Sequence, residues 1–585
     1  MKYPILPIRA TSRQMVDVFR GYNHNLRIED GEFYEMENLT ADHYPVLSPR
    51  GRRGVYGSPA DPQGLIEKDS LCYVDGTDFV INGYPVDMGL SVSPEDCPKQ
   101  LVSMGAYVII LPDKKWINTL DITEYGNIDA SVKTTTDVVF SLCAIGGEEY
   151  KYPTVSSGEP KEPENMALWI DTSSTPHVLK QYSAASGTWV SIATTYIKIS
   201  ASGIGKAFSQ YDGVILSGIV EDTLQELNGT AVIWSRGDDH IVVTGILDVT
   251  TTQLASEGAI TVSRKMPDMD YVVEANNRLW GCRYGMAANG TAVNEIYASK
   301  LGDFKNWNCF MGISTDSWVG SVGTDGPFTG AVTHLGYPLF FKENVLHKVY
   351  ISDVGAHGIQ DTACRGVQRG CHKSLAIVNE TLFYKARSGI CAYDGSLPTE
   401  SSYALGNEVY SEAVAGSIGN KYYVCMKDTD GKNQLFVLDT AKGMWHKESG
   451  FDASAFCACR GELYAIDRGS NKIVTMLGSG TQEELSVKWM AQTGEIGIGS
   501  PDRKYISRLN IRMQLDIGAD LQVYAQYERD ERWVQLCNLR GTSLNSFSLP
   551  VRPRRCDHMK LRFVGEGNGK IFSITKTIEE GSDRA

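Results

Sequence analysis

No apolar run in the 585 residues approaches the ~20 needed to cross a bilayer as a helix, so the sequence predicts a soluble protein. Basic charge is also short. Lysine and arginine total 56 against 70 acidic residues, a net charge of −14, which disfavours sustained wrapping of nucleic acid. An acidic wall can still line a passage for DNA, because repulsion prevents sticking. Met1–Pro7 is too short for a secretory signal and is broken by proline. The 13 cysteines are scattered and odd in number. Together these predict reduced thiols in a reducing cytosol rather than a disulfide framework.

Signatures of chemistry are missing too. There is no Gly-x-Ser-x-Gly elbow and no His-Glu-x-x-His. Cys457 and Cys459 have the wrong spacing for zinc, and Cys364, Cys371 and His372 lack a fourth ligand. Asp428-Thr429-Asp430-Gly431 starts like a calcium loop, but its twelfth position is Asp439 rather than a bidentate glutamate. Gly565–Lys570 and Gly203–Lys206 are followed by Ile571 and Ala207 where a phosphate loop needs Ser or Thr. Ser183–Trp189 lacks the aspartate of a sialidase-type turn, and its tryptophan comes one place early. The reading is therefore no enzyme: no catalytic residue, no metal ligand and no cofactor.

What is abundant is turn and strand. With 58 glycines, 29 tyrosines and 10 tryptophans, the chain alternates glycine turns with aromatic and β-branched runs. A short apolar group follows a tight turn at Leu71, Tyr107, Leu279, Leu339, Leu382, Tyr422 and Leu463, at steps of 36, 172, 60, 43, 40 and 41 residues. Steps near 40 are those of four-stranded propeller blades. Removing about 140 residues from the long step leaves about one blade, so a domain is inserted there. The predicted fold is all-β: a roughly seven-bladed β-propeller, an inserted β-rich domain and a C-terminal antiparallel β-sandwich. The boundaries are an extended arm (1–55), two blades (56–124), the insert (125–265), five blades (266–484) and the sandwich (485–585). Strict alternation of Leu509, Ile511, Met513, Leu515 and Ile517 with polar residues, then a Gly518 turn, marks the last unit.

Two basic clusters stand out, Arg50, Arg52 and Arg53 at the end of the arm, and Arg552, Arg554 and Arg555 with Lys560 and Arg562. They read as solubilising edge charge or as contacts to an acidic neighbour or DNA phosphates. The excursion 301–326 reads as a surface loop whose Trp307, Phe310 and Trp318 adhere to a partner.

Three stretches together resemble a known group: Gly31–Phe33, Glu37–Leu39 and Tyr44–Arg50 in the arm, Glu274–Cys282, and Pro553–His558 with Ile574–Thr577. They are similar to virion structural proteins of tailed phages, nearest to the packaged-DNA stabilisation, tail-hub or nozzle family of short-tailed phages. The segments Leu168–Ser173 and Trp189 look like small modules of phage tail and fibre proteins. The resemblance implies a virion protein made and assembled in the bacterial host cytoplasm. It implies a ring of six copies below the portal and adaptor, closing the channel and retaining DNA without sequence specificity, with no membrane partner. The expected partner contacts are Arg50, Arg52, Arg53, Arg554, Arg555, Trp307 and Trp318. The competing reading is a tail-tip adhesin that binds a cell-surface glycan through Trp169, Trp189 and Trp234 of the insert.

Overall fold

The computed structural model describes residues 11–92, 99–497, 504–528, 530–549 and 556–580. Their regular structure is almost all β-strand, joined by turns and loops; the helical residues among them lie in three short 3₁₀ turns, Asp222–Leu227, His372–Ser374 and Tyr403–Leu405. The chain separates into two compact units: residues 1–99, 341–346 and 362–585, and residues 100–340 with 347–361.

A four-stranded antiparallel meander is the recurring element. The first unit carries Pro62–Glu67, Leu71–Asp75, Asp78–Ile81 and Tyr84–Asp87 as one such sheet, Ala376–Val378 to Thr399–Glu400 as another, and Ser411–Ile418 to Met444–Glu448 as a third. Three more begin in the second unit, with first strands Gln100–Met104, Tyr271–Ala275 and Gly330–His334. Each recurring apolar group falls in the second strand of its sheet, for example Leu71–Asp75, Thr381–Ala386 and Lys421–Lys427. Successive residues of that strand are buried whichever face they point to, so it runs apolar without alternation. Tyr422, Tyr384 and Trp280 are among the largest fully buried side chains.

One more sheet is assembled from distant pieces. Ala453–Cys459, Glu462–Asp467 and Lys472–Thr475 supply three strands, and Gly54–Gly57 supplies the fourth. Glycine is required at position 54, because a Cβ there would lie 2.2 Å from the Ser479 carbonyl oxygen. Local reading of the sequence placed residues up to 55 in an arm; part of that segment is the outer strand of a sheet.

The arm is not free-standing. Thr11–Val16 pairs antiparallel with Gly569–Glu580, Glu32–Glu37 pairs with Lys488–Thr493, and Gly21–Tyr22 runs parallel to Glu32–Glu37. The expected C-terminal sandwich is thus one eight-stranded sheet that includes three N-terminal strands. Its axis is Lys504–Tyr527, whose first half pairs with Gly569–Glu580 and second half with Met559–Glu566. Leu509, Ile511, Met513, Leu515, Leu521, Val523 and Ala525 are all buried. Gly518 is a bend within this strand (φ +86°), not the turn between two strands. Odd-numbered residues are buried on both sides of the bend, and the bend lifts only Ile517 out, leaving it fully exposed.

Between Tyr125–Asn127 and Tyr271–Ala275 lie three further sheets. Two face each other across a shared core of Phe140, Ile199, Ile241, Val214, Leu216 and Val262. The strand pair expected from Thr230–Trp234 and His240–Thr244 is split between these two layers: Gly229–Val232 pairs with Gly213–Ser217, and His240–Thr244 pairs with Tyr196–Ser200. The third sheet is small, Thr154–Ser156, Leu168–Asp171, Val178–Ser183 and Thr188–Ser191.

Two histidines, the buried His446 and the half-buried His372, are expected to make the fold acid-sensitive. Burial, reinforced by Lys421, pushes His446 down to about 4; burial, reinforced by Lys373, does the same to His372. Both are neutral in the folded chain, whereas an unfolded histidine takes up a proton near 6.5. Stability is therefore full above pH 6.5 and declines as pH falls toward 4. A series of melting curves is expected to show this decline, and His446→Gln is expected to flatten it.

Candidate interaction surfaces

The two described arginines of the first cluster with the most contacts are committed internally. Arg50 lies in a buried knot: its guanidinium makes paired 2.9 Å bonds to both oxygens of Glu484, stands 3.5 Å from Glu448, and donates to Asn38 Oδ1 at 2.9 Å. Arg53 donates to Glu448 at 2.8 Å, and its backbone N–H donates to Glu484 at 2.8 Å. Asn38 completes the knot by accepting from Ser449 N and Oγ and donating to the Lys488 carbonyl. Burial and the adjacent Arg50 hold the Arg53 pKa below its usual range, against the pull of Glu448. Arg50 and Arg53 are therefore stitches between the arm, the Met444–Glu448 strand and the lead into the C-terminal sheet, not partner contacts. Arg52 is exposed. Arg554 and Arg555 lie outside the described residues. Arg562 donates to Gln492 at 2.7 Å and stacks on Trp533, and Lys560 stands 3.8 Å from Glu495.

Of the loop aromatics, Trp307 is buried, with its Nε1 donating to the Phe304 carbonyl and its ring in the core beside Trp116 and Phe304. Trp318 is half-buried against Trp280 and His357. What the loop presents instead is Phe310, 50% exposed, and Ile313, 52% exposed. The loop is held rigidly beneath them. One Asp316 carboxylate oxygen accepts the backbone N–H groups of Met311, Gly312 and Ile313. The buried Arg278 guanidinium donates to the carbonyls of Ser299, Ser314 and Asp316. The sequence signal for this brace is an arginine that opens an apolar run at the start of a strand, Arg278-Leu279-Trp280.

The three insert tryptophans do not form one platform. Trp169 is buried, its Nε1 donating to the Ser156 carbonyl, and it packs edge-on against Trp189, which also meets Tyr182. Trp234 belongs to another group, with Tyr196 and Tyr211.

Among the described residues, no group of three or more His, Cys, Asp and Glu side chains could hold a metal ion. One constellation has the order of a nucleophile triad: Thr324 Oγ1 lies 3.0 Å from His347 Nε2, and His347 Nδ1 lies 2.6 Å from Asp361. Its burial is the reverse of what acyl transfer needs, because the imidazole is fully covered while the carboxylate is 44% exposed. The geometry is that of a hydrogen-bonded bridge between the strands Val345–Tyr350 and Gly358–Ala363.

No protein-family profile and no curated protein sequence matches this chain. Solved structures do match. An exo-β-1,3-galactanase from Phanerochaete chrysosporium is 7% identical, covering 77% of this chain and all of its own, with a TM-score of 0.18. A GH43 glycoside hydrolase engineered for both endo-xylanase and exo-arabinofuranosidase activity is 8% identical, covering 53% and 97%, with a TM-score of 0.18. An acylaminoacyl peptidase from Pyrococcus horikoshii is 11% identical, covering 61% and 56%, with a TM-score of 0.23. The exclusion of an enzyme drawn from missing motifs is withdrawn, since the matched structures are enzymes. At these scores they assign no activity to this chain.

Proposed function

We propose that this chain is a structural subunit of a tailed-phage or prophage particle, a tail hub, nozzle or head–tail connector that closes the portal channel and retains packaged DNA. In this reading the seven four-stranded sheets outside the insert are the blades of one propeller. The observation that carries it is the sheet completed by Gly54–Gly57, a strand that precedes the first meander and joins the last. Joining first to last is how a circular array of sheets removes its open edges. The Arg50 knot and the shared N- and C-terminal sheet then fasten the chain ends to that body. A body fastened at both ends transmits load between neighbours, as a conduit requires. Its partners are further copies of itself in a ring of six, the portal and adaptor, other tail proteins, and DNA held without sequence specificity.

The braced loop is the natural contact point between copies, because an exposed aromatic on a rigid support loses little entropy when it docks. Native mass measurement of the purified protein is expected to give a ring of copies, reduced to smaller species by Phe310→Asp with Ile313→Asp. A chain that stays monomeric at high concentration and fails to bind portal–adaptor complexes overturns the reading.

A further inference from the structure

The insert contains a cleft that neither the ring nor its contacts use. It has a volume of about 430 Å³ and lies where the Thr175–His177 segment of the small sheet meets the end of the His240–Thr244 strand and the Asp222–Leu227 turn. Its floor is aliphatic: Ile197, Leu224, Leu227, Ile246 and Leu247, with Gly245 between them. Gly245 keeps the floor open, because a Cβ there would stand 2.8 Å from Ile197 Cδ1. Three carboxylates, Glu221, Glu226 and Asp248, stand among the lining residues, and the one ring nitrogen base there, His177 Nδ1, lies 2.9 Å from Asp248. No lysine, arginine, phenylalanine, tyrosine or tryptophan is among the described residues that line it.

The size is that of a small-molecule site, and such sites combine an apolar floor with a few polar groups that fix orientation. The chemistry of this lining selects among ligands. A saccharide stacks best on the broad faces of Trp, Tyr and Phe, none of which is among the described lining residues, and an anion meets three carboxylates. A hydrocarbon chain that carries ammonium groups satisfies both parts, its methylenes on the aliphatic floor and its charges on the carboxylates. We propose that this cleft binds a free aliphatic diamine or polyamine. The inference is independent of the virion reading and holds whatever particle or pathway the chain belongs to.

The test is calorimetric titration of the full-length chain with 1,5-diaminopentane and spermidine, and with 1,5-pentanediol as the uncharged isostere. A chain of net charge −14 attracts polyamines nonspecifically, so two variants are compared. Glu221→Gln with Glu226→Gln removes charge from the cleft. Glu159→Gln with Glu162→Gln removes the same charge from exposed positions elsewhere in the insert. Saturable amine binding, weakened at least about tenfold by the cleft variant and unaltered by the control, is expected, with no binding of the diol. Equal weakening by both variants, absence of saturable binding, or tighter binding of a lysine-containing tetrapeptide than of spermidine overturns the proposal.

Discussion

Glu448→Ala is expected to cost about 3–5 kcal/mol, because it removes the carboxylate bonded to the Arg53 guanidinium and the nearer flank of Arg50, which is left with Glu484 alone. The Glu448 and Arg50 side chains are each only 6% exposed and Arg53 is 13% exposed. Glu484→Ala is expected to cost less, since that carboxylate is 28% exposed and water can replace part of what it gives Arg50. The Glu484 carboxyl adds a pH signature. Burial pushes its pKa up, but the Arg50 guanidinium and the Arg53 amide outweigh that and hold it below the usual carboxylate range. Its contribution is therefore present above the ordinary glutamate pKa and is lost as pH falls through the lower folded value. The measurement is equilibrium unfolding at pH 7 of the wild type, each single variant and Glu448→Leu with Arg53→Met. The paired apolar replacement is expected to recover much of the loss, because the penalty comes from the unpaired charge rather than from the missing attraction. If Glu448→Ala unfolds with the wild-type midpoint, the knot does not fasten the arm.

The same cluster shows where sequence reading stops. Arg50, Arg52 and Arg53 are three near-adjacent cations, and nothing local separates the exposed one from the two that are buried. The distinction is made by Glu448 and Glu484, nearly 400 residues or more along the chain. The shared sheet is invisible for the same reason: Thr11–Val16 carries no mark of its partner strand Gly569–Glu580. By contrast, each second strand of a meander is buried residue after residue and so reads as an unbroken apolar group. The step of 172 residues between such groups spans the three extra sheets between Asn127 and Tyr271. Alternation from Leu509 to Ala525 marked the buried face of the long central strand but not its bend, because Gly518 opens a turn and kinks a strand with equal ease. Trp307 was misjudged because aromatic residues in a glycine-rich excursion look alike in sequence; only the packing shows that Phe304 and Trp116 cover it while Phe310 stands out.

The insert is held by a second knot, and breaking it is expected to loosen that region while the meanders stay folded. Asp212 is 2% exposed; it accepts from Arg264 Nη1 at 2.5 Å, from Asn306 Nδ2 at 2.9 Å and from the Ser209 N–H at 2.9 Å. Arg264 also donates to the Ile128 carbonyl, so both ends of the insert, Ile128 and Arg264, are fixed by one side chain. Asn306 returns the contact by accepting the Gly213 N–H at 2.9 Å. Asp212→Ala leaves a buried guanidinium without its carboxylate, for about 3–5 kcal/mol. Gly213→Ala attacks the same junction without touching charge, because its Cβ would lie 2.3 Å from the Asn308 carbonyl carbon and oxygen. The backbone at Asn308 cannot turn aside as a flexible side chain could, so the strand Gly213–Ser217 must move away. Both variants are expected to show an early melting transition and faster proteolytic cleavage near residues 128 and 265, with the later transition unchanged. Agreement between an electrostatic and a steric lesion identifies the junction itself as the weak point. A wild-type cleavage pattern in Gly213→Ala would mean that the insert does not rest on the 306–309 segment.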